Sequence, residues 1–139
     1  DADYRFTSLS EQASAAARTL HLGKRRSEIG YTNMSAADWA AHYADLDARR
    51  TYHDLELCRI EDGEPVWIAA SGEPVFAADG AFKGYRGVGR NITVRKREEA
   101  LLRLEHAVTR CLAEAEGAEA ALQGVIRAIC EAEGWECGR

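Results

Sequence analysis

The pattern of apolar and polar residues divides the chain into three regions of different periodicity. Residues 1–92 hold nearly all the aromatic residues and contain short alternating runs, as strands do. Residues 93–116 contain no glycine or proline and repeat their apolar residues with heptad spacing. Residues 117–139 carry a further amphipathic helical pattern. We therefore expect an α+β domain that is followed by a helical extension.

The centre of the chain has the pattern of an antiparallel meander. Runs rich in strand-forming residues cover 52–60, 66–76 and 82–92, and the dipeptides Asp62-Gly63 and Asp79-Gly80 separate them. An acidic residue followed by glycine favours the positive φ angles of a tight hairpin turn. Before this meander, the alternating segment from Tyr4 to Leu9 predicts one more short strand.

A helix is predicted to begin after Ser35. Ser35 is a suitable N-cap, and Asp38 three residues later imitates the acidic half of a capping box. Three large residues would then share one face of the helix: Trp39, Tyr43 and Leu46. Upstream, the alanine-rich segment 10–22 favours a helix, and the basic segment 23–33 favours a loop.

The heptad pattern in residues 93–116 predicts a helix with an apolar seam that is interrupted at Arg97. The seam consists of Val94, Leu101, Leu104, Val108, Cys111 and Ala115. Two interpretations stay open: the helix packs back on its own domain, or it pairs with a second copy as a parallel coiled coil. We favour pairing and a homodimer, because the seam is longer than one sheet would cover.

The last region predicts a second amphipathic helix, whose stripe has no obvious partner in the chain. Its apolar residues are Leu122, Val125, Ile126, Ile129 and Cys130. The chain starts at Asp1 without a methionine and stops soon after this pattern, so we expect it to be part of a larger protein.

Composition excludes several classes of function. Of 139 residues, 46% are hydrophobic and 29% are charged, as in globular proteins, and the net charge of −5 argues against nucleic acid as a partner. No apolar run approaches the roughly 20 residues of a membrane helix. No phosphate-binding loop or Ser/His/Asp arrangement is evident, and Glu98 and Glu99 fit a solvated helix face. We expect no catalytic activity in the chain itself.

Four cysteines occur without a CxxC pair or a histidine cluster at zinc-ligand spacing: Cys58, Cys111, Cys130 and Cys137. This pattern favours free, mostly packed thiols in a reducing compartment, and hence the cytoplasm. Cys58 is a candidate for ligation or reaction, but we expect it to behave as a small buried hydrophobe.

Residues 62–76 (DGEPVWIAASGEPVF) and 79–93 (DGAFKGYRGVGRNIT) resemble the C-terminal half of a PAS domain with its PAC motif. They end in Asn91-Ile92-Thr93, a variant of that family's Asp-Ile-Thr junction. The Tyr4–Phe6 segment and the Trp39 helix occupy the places of the family's first strand and central helices. The resemblance covers residues 1–93 and implies a five-stranded antiparallel sheet with helices on one face.

The resemblance also implies a domain organisation and a function. Residues 1–92 would be a PAS sensor domain and residues 93–116 a signalling helix. Residues 117–139, ending near Gly134-Trp135, resemble the start of a GAF domain, with a linker helix as the rival. The chain would be the sensory module of a multidomain two-component kinase or cyclic-di-nucleotide enzyme, signalling to an output domain of the same polypeptide. The alternative is a ligand-free dimerisation scaffold.

The inward sheet face of such a domain would line a pocket for a small-molecule ligand. The expected pocket residues are Trp39, Tyr43, Ile68, Ala70, Phe76, Tyr85, Gly87 and Gly89. Small residues opposite large rings either leave a cavity or let the rings pack tightly, and native cores favour tight packing.

No cofactor is assigned to this pocket, and no metal. The chain lacks the Asn-Cys-Arg-Phe motif of LOV domains, so we expect no flavin adduct. His42 and His53 lie nearest the pocket, but a lone histidine is more often an ordinary residue than a haem ligand. The signal junction is expected at Asn91, Ile92 and Thr93. Because Asn91 replaces the family's acid, we expect no ion pair at this junction, and either Asn91 or Thr93 would cap the next helix.

Overall fold

The computed structural model describes residues 1–11, 13, 15–115 and 117–133, with the backbone alone at 133. These residues form two compact units that meet between Thr93 and Val94. The predicted boundary after residue 92 is close to this point. Of residues 117–139, which resemble the start of a GAF domain, residues 134–139 lie outside the described residues.

The elements follow the order helix, 3₁₀ helix, helix, three strands, helix, helix. In the first unit they are α1 (Ala15–His21), a 3₁₀ helix (Arg26–Ile29), α2 (Ala36–Asp47), β1 (Tyr52–Glu61), β2 (Glu64–Phe76) and β3 (Phe82–Asn91). Two long helices follow them: α3 (Thr93–Glu114), which starts at the unit boundary, and α4 (Ala118–Glu133).

The predicted meander is confirmed. The three strands form one antiparallel sheet in the order β1-β2-β3. Glu61 pairs with Glu64 across a two-residue turn in which Asp62 and Gly63 have φ angles of 51° and 85°. These angles are those of a type I′ turn, whose twist matches that of the adjoining strands. The sheet therefore owes its register to local turn chemistry.

The predicted strand at Tyr4–Leu9 is wrong, and so is the expected count of five strands within the described residues. Arg5 and Phe6 form only isolated bridges, to Arg25 and Leu22. The Asp1 carboxylate accepts a hydrogen bond from the Arg5 backbone N–H at 2.8 Å, and Tyr4 adopts a φ angle of 61°. A local side-chain turn thus replaces the extended backbone that a ladder requires.

The predicted cap and face of α2 are confirmed. The Ser35 hydroxyl accepts a hydrogen bond from the Asp38 N–H at 3.2 Å, and the Asp38 carboxylate accepts one from the Ser35 N–H at 2.8 Å. Leu46 is buried, and Trp39 and Tyr43 are half-buried. The capping box satisfies backbone donors at the start of the helix, so that its apolar face can pack on the first unit.

The core of the first unit combines small and large side chains. Leu57 on β1 is 1% exposed, and Ala69 and Ala70 on β2 are 3% and 4% exposed. Ile92, immediately after β3, is also buried. The core thus runs across the sheet to the point where α3 begins.

In the second unit α4 approaches α3 at Gly124, whereas Leu122 and Ile126 of the α4 stripe are 61% and 48% exposed. A Cβ added at Gly124 would stand 3.1 Å from the Cβ of Cys111.

Cys58 and Cys111 are free thiols. Cys130 is disulfide-bonded, so the prediction of free thiols is wrong at that residue. Cys137 lies outside the described residues. None of the described helices has the length and apolar content needed to cross a membrane.

Two glycines on β3 provide a matched test of the sheet. A Cβ at Gly87 would lie 2.5 Å from the Ser71 carbonyl oxygen on β2, whereas one at Gly89 would lie 3.3 Å from the Ile68 side chain. The paired backbone at Ser71 cannot move aside as easily as the methyl group of the Ile68 side chain can. We expect Gly87→Ala to lower the free energy of unfolding by about 2 kcal/mol and Gly89→Ala by less than about 1 kcal/mol. Urea denaturation measures both, and equal losses would contradict this packing.

Candidate ligand cavity

A cleft of about 1200 Å³ lies in the first unit between the sheet, α2 and the N-terminal segment. Six of the expected pocket residues line it: Tyr43, Ile68, Ala70, Tyr85, Gly87 and Gly89. Trp39 and Phe76 are not among the lining residues. Trp39 packs against Tyr31, and Phe76, which is half exposed, packs against Phe82. Five of the six lie on β2 and β3, and Tyr43 lies on α2, whose Leu46 carbonyl accepts a hydrogen bond from the Tyr85 hydroxyl at 3.2 Å.

Tyrosine rings form one wall of the cleft. The centroid of the Tyr4 ring lies 5.9 Å from that of Tyr43 and 6.3 Å from that of Tyr85. The Tyr52 ring lies 6.1 Å from that of Tyr85. Tilted contacts at these distances are favourable between aromatic rings. The N-terminal Tyr4, which was predicted to lie in a strand, instead closes this aromatic wall.

Hydrogen bonds hold these rings in place. The Tyr43 and Ser27 hydroxyls are 2.8 Å apart, and the Tyr85 hydroxyl donates to the Arg50 carbonyl oxygen at 2.9 Å, beyond the end of α2. The Tyr4 hydroxyl donates to the Asp47 carboxylate at 2.6 Å. Burial, followed by the bond to Asp47, raises the pKa of Tyr4. These bonds fix the positions of the Tyr4, Tyr43 and Tyr85 rings in the wall.

His42 lies buried on α2 and lines the cleft. Its ring meets the Tyr52 ring edge to face, with centroids 4.9 Å apart. Burial, reinforced by the positive charge of Arg26, lowers the His42 pKa to about 4. The side chain is thus neutral at physiological pH. His53, the other histidine considered near the pocket, is exposed on β1.

One corner of the cleft is cationic, and sequence reasoning missed it. The cationic corner consists of Arg26 from the 3₁₀ helix and Arg59 from β1, with Glu61 beside them. The Arg59 Nε donates to the Glu61 carboxylate at 2.7 Å, and its Nη2 donates to the same oxygen. The alternation of side chains along a strand could have revealed this corner from the sequence. Arg59 lies two residues after Leu57 and so shares its buried face, where a charged residue is unusual.

The guanidinium of Arg26 lies among aromatic rings. Its central carbon is 5.6 Å from the Phe6 ring centroid and 5.4 Å from that of Tyr52. His21 and Tyr31 face the same corner. Burial lowers the pKa of His21 and raises the pKa of Tyr31, so both are neutral at pH 7. The corner therefore carries two fixed positive charges and one negative charge.

The expected signal junction connects the cleft to α3. Asn91 lines the cleft, and its side-chain oxygen accepts a hydrogen bond from the Thr93 N–H at 2.9 Å. The Thr93 hydroxyl accepts a bond from the Trp67 N–H at 3.0 Å, and the Ile92 N–H donates to the Trp67 carbonyl at 2.9 Å. The bond from Asn91 is an Asx turn that satisfies the first backbone N–H of α3. The junction thus ties α3 to the central strand.

Neither Cys58, which was considered for ligation or reaction, nor a metal site adds to the chemistry of the cleft. Cys58 is a buried free thiol, and its backbone N–H donates to the Asn33 side chain at 2.7 Å. The described residues contain no group of three or more His, Cys, Asp or Glu side chains that could hold a metal ion.

No protein-family model matches the chain, and no curated protein matches it. Among solved structures, it is similar to a sensory box histidine kinase/response regulator from Burkholderia thailandensis E264, with 29% identity and a TM-score of 0.40, over 55% of this chain and 62% of that one. It is also similar to a LOV protein from Rhodobacter sphaeroides, with 17% identity and a TM-score of 0.44, over 82% of this chain and 67% of that one. The alignment spans less than two thirds of the Burkholderia chain.

His42 makes the stability of the chain depend on pH. The folded-state pKa of about 4 lies below the ordinary value of 6.5, so the unfolded state takes up a proton first as the pH falls. The contribution to stability is complete above pH 6.5 and is lost towards pH 4, by at most about 3 kcal/mol. His42→Phe should flatten this part of the profile, as measured by urea denaturation at successive pH values.

The control for this measurement is His53→Gln, which changes an exposed histidine on β1. It should leave the pH profile as it is in the unmodified chain. His21 also has a lowered pKa, so part of the slope will persist in His42→Phe. A profile that both variants flatten equally, or that neither changes, would contradict the assignment to His42.

Proposed function

We propose that this chain is the PAS-like sensory module of a multidomain cytoplasmic signalling protein, and that the cleft is its sensing site. The observation that carries the proposal is that Asn91 lines the cleft and also accepts a hydrogen bond from the Thr93 N–H at the start of α3. A change in the cleft that moves Asn91 alters the hydrogen bond at the first turn of α3. The module itself catalyses no reaction. The output domain of the same polypeptide, of the histidine kinase or cyclic-di-nucleotide type, carries the activity.

The proposed route from the cleft to the helix is short. Gly89 pairs with Ala70 and lies diagonally from Ile68 on β2, where a Cβ added at Gly89 would stand 3.3 Å from the Ile68 side chain. Ile68 is the strand partner of Asn91 and follows Trp67, which bonds Ile92 and Thr93. Close-packed groups transmit a shift rather than absorb it. A ligand pressing on this part of the sheet would therefore act on the cap of α3.

The proposed output of the module is a homodimer formed through α3. In the predicted seam, Val94 and Leu101 are 68% and 58% exposed. Leu104, Val108 and Cys111 are half-buried, and Cys111 lies against α4. The exposed N-terminal part of the seam is thus the part best suited to pairing with a second copy, and the C-terminal part serves the contact with α4. This division fits a helix whose register changes on signalling.

A ligand-free scaffold is the second candidate, and it is favoured by the ring contacts that continue from Phe76 through Phe82 and Tyr85 to Tyr52. In a scaffold these rings would serve packing alone. A side chain introduced into the cleft would then leave the hydrogen bonds at the start of α3 unchanged. This outcome distinguishes a scaffold from a sensory module.

Gly89→Leu tests the coupling between the cleft and α3. The new side chain would press on Ile68 from the cleft face, and we expect the amide exchange of the first turn of α3 and the self-association of the chain both to change. Hydrogen exchange measured by mass spectrometry and sedimentation equilibrium provide the two readouts. Gly89→Ala, a milder change at the same position, serves if the leucine variant does not fold.

The matched control is Arg90→Leu, which introduces the same side chain one residue along, at an exposed position outside the cleft lining. It should leave both readouts unchanged. If Gly89→Leu folds and neither the exchange of α3 nor self-association differs from the unmodified chain, the sensory function is wrong and the scaffold stands.

Adjacent leucines on α3 test the dimer seam. Leu101 is 58% exposed within the seam, and Leu102 is 54% exposed outside it. We expect Leu101→Ser to weaken self-association at least about tenfold, because it removes an apolar contact from the pairing face. Leu102→Ser should have little effect. Sedimentation equilibrium of the two variants measures the difference, and equal effects would exclude the proposed seam.

A further inference from the structure

We propose that the cleft binds a small organic acid, with a single carboxylate held by Arg26 and Arg59 and an apolar or aromatic body against the tyrosine wall. The proposal names the ligand class of the sensing site and rests on the sensory function for its biological meaning. Its physical basis is the cationic corner, and the binding is testable without any signalling readout.

The first argument is that two buried guanidinium nitrogens lack a hydrogen-bond acceptor. Arg59 is 9% exposed, and its Nη1 atom is buried without a hydrogen-bond partner among the described residues. The Nη1 atom of Arg26 is in the same state. A buried guanidinium nitrogen without an acceptor is costly, and a carboxylate is the planar acceptor that this group binds best. Two such nitrogens in one cleft point to an anionic ligand.

The second argument is the charge of the corner. Arg26 and Arg59 contribute two positive charges, and Glu61 neutralises one of them. His21 and His42 add none at pH 7, because burial keeps both neutral. The remaining charge of +1 matches one carboxylate. A phosphate carries about two negative charges near pH 7 and would leave the corner overcompensated.

The third argument concerns the rest of the ligand. The cleft also presents Tyr52, Tyr85 and Leu57, and its volume of about 1200 Å³ is ample for a molecule larger than acetate or formate. The Arg26 guanidinium already stacks near the Tyr52 ring, so a carboxylate bound there would place its attached body beside that ring. An acid with an aromatic or aliphatic body therefore fits better than a small polar one.

The test titrates the 139-residue chain with benzoate, 1-naphthoate and octanoate, and separately with the amide of each acid and with inorganic phosphate. The NMR signals of the arginine side chains report binding. We expect at least one acid to bind with a Kd below about 1 mM and its amide to bind at least about tenfold more weakly, because only the acid supplies charge-assisted bonds.

Variants assign the binding to the corner. Arg26→Met keeps an unbranched chain like the arginine stem but removes the guanidinium, and it should weaken the acid at least about tenfold. Arg26→Lys should weaken it less, since it keeps the charge but lacks the planar fork. Arg90→Gln, an exposed arginine outside the cleft lining, should bind as the unmodified chain does. Without ligand, the melting temperature of Arg26→Met should be unchanged or higher, because an unpaired buried nitrogen is removed.

Three results would overturn the proposal: none of the acids binds, acid and amide bind equally, or phosphate shifts the same arginine signals at lower concentration than every acid. A marked fall in the melting temperature of both Arg26 variants, with acid binding intact in Arg26→Lys, would assign Arg26 a structural role instead. Failure of the sensory function is distinguishable, because an acid would then bind in the corner while α3 stayed insensitive to Gly89→Leu.

Discussion

The architecture of the first unit depends on small residues at the centre of its sheet. Ala70 on β2 is buried and lines the cleft, and Gly87 is so close to the Ser71 carbonyl oxygen that no side chain fits between them. Because this part of the sheet presents little volume, α2 and its rings cannot fill the space above it completely. The cleft is the consequence, and it lies directly beside the junction with α3.

Electrostatics gives this cleft its chemical character. Burial keeps His21 and His42 neutral, whereas an arginine stays charged under all ordinary conditions. The interior thus holds a fixed positive charge from Arg26 and Arg59, only partly matched by Glu61. Natural cores avoid such an arrangement unless a partner compensates it. The same rigid rings that border the cleft hold the groups that carry this charge.

Local chemistry explains why the meander and α2 could be predicted. An Asp-Gly turn and a Ser-x-x-Asp cap each depend on residues a few positions apart, and the structure has both. The prediction of a strand after Asp1 was wrong for a reason that is also local. The alternating pattern suggested a strand, but the Asp1 carboxylate accepts a hydrogen bond from the Arg5 N–H and turns the chain. Periodicity alone cannot weigh a competing side-chain hydrogen bond against a strand that lies far away in sequence.

The sequence by itself determined the three strands, the capped helix and six of the residues that line the cleft, since these follow from short-range patterns and strand parity. Only the tertiary structure decided that Trp39 and Phe76 lie outside the cleft lining, that Tyr4 completes the aromatic wall, and that Arg26 and Arg59 share one corner. Those residues are far apart in the chain. Their meeting depends on how helices pack across the sheet, which no local pattern encodes.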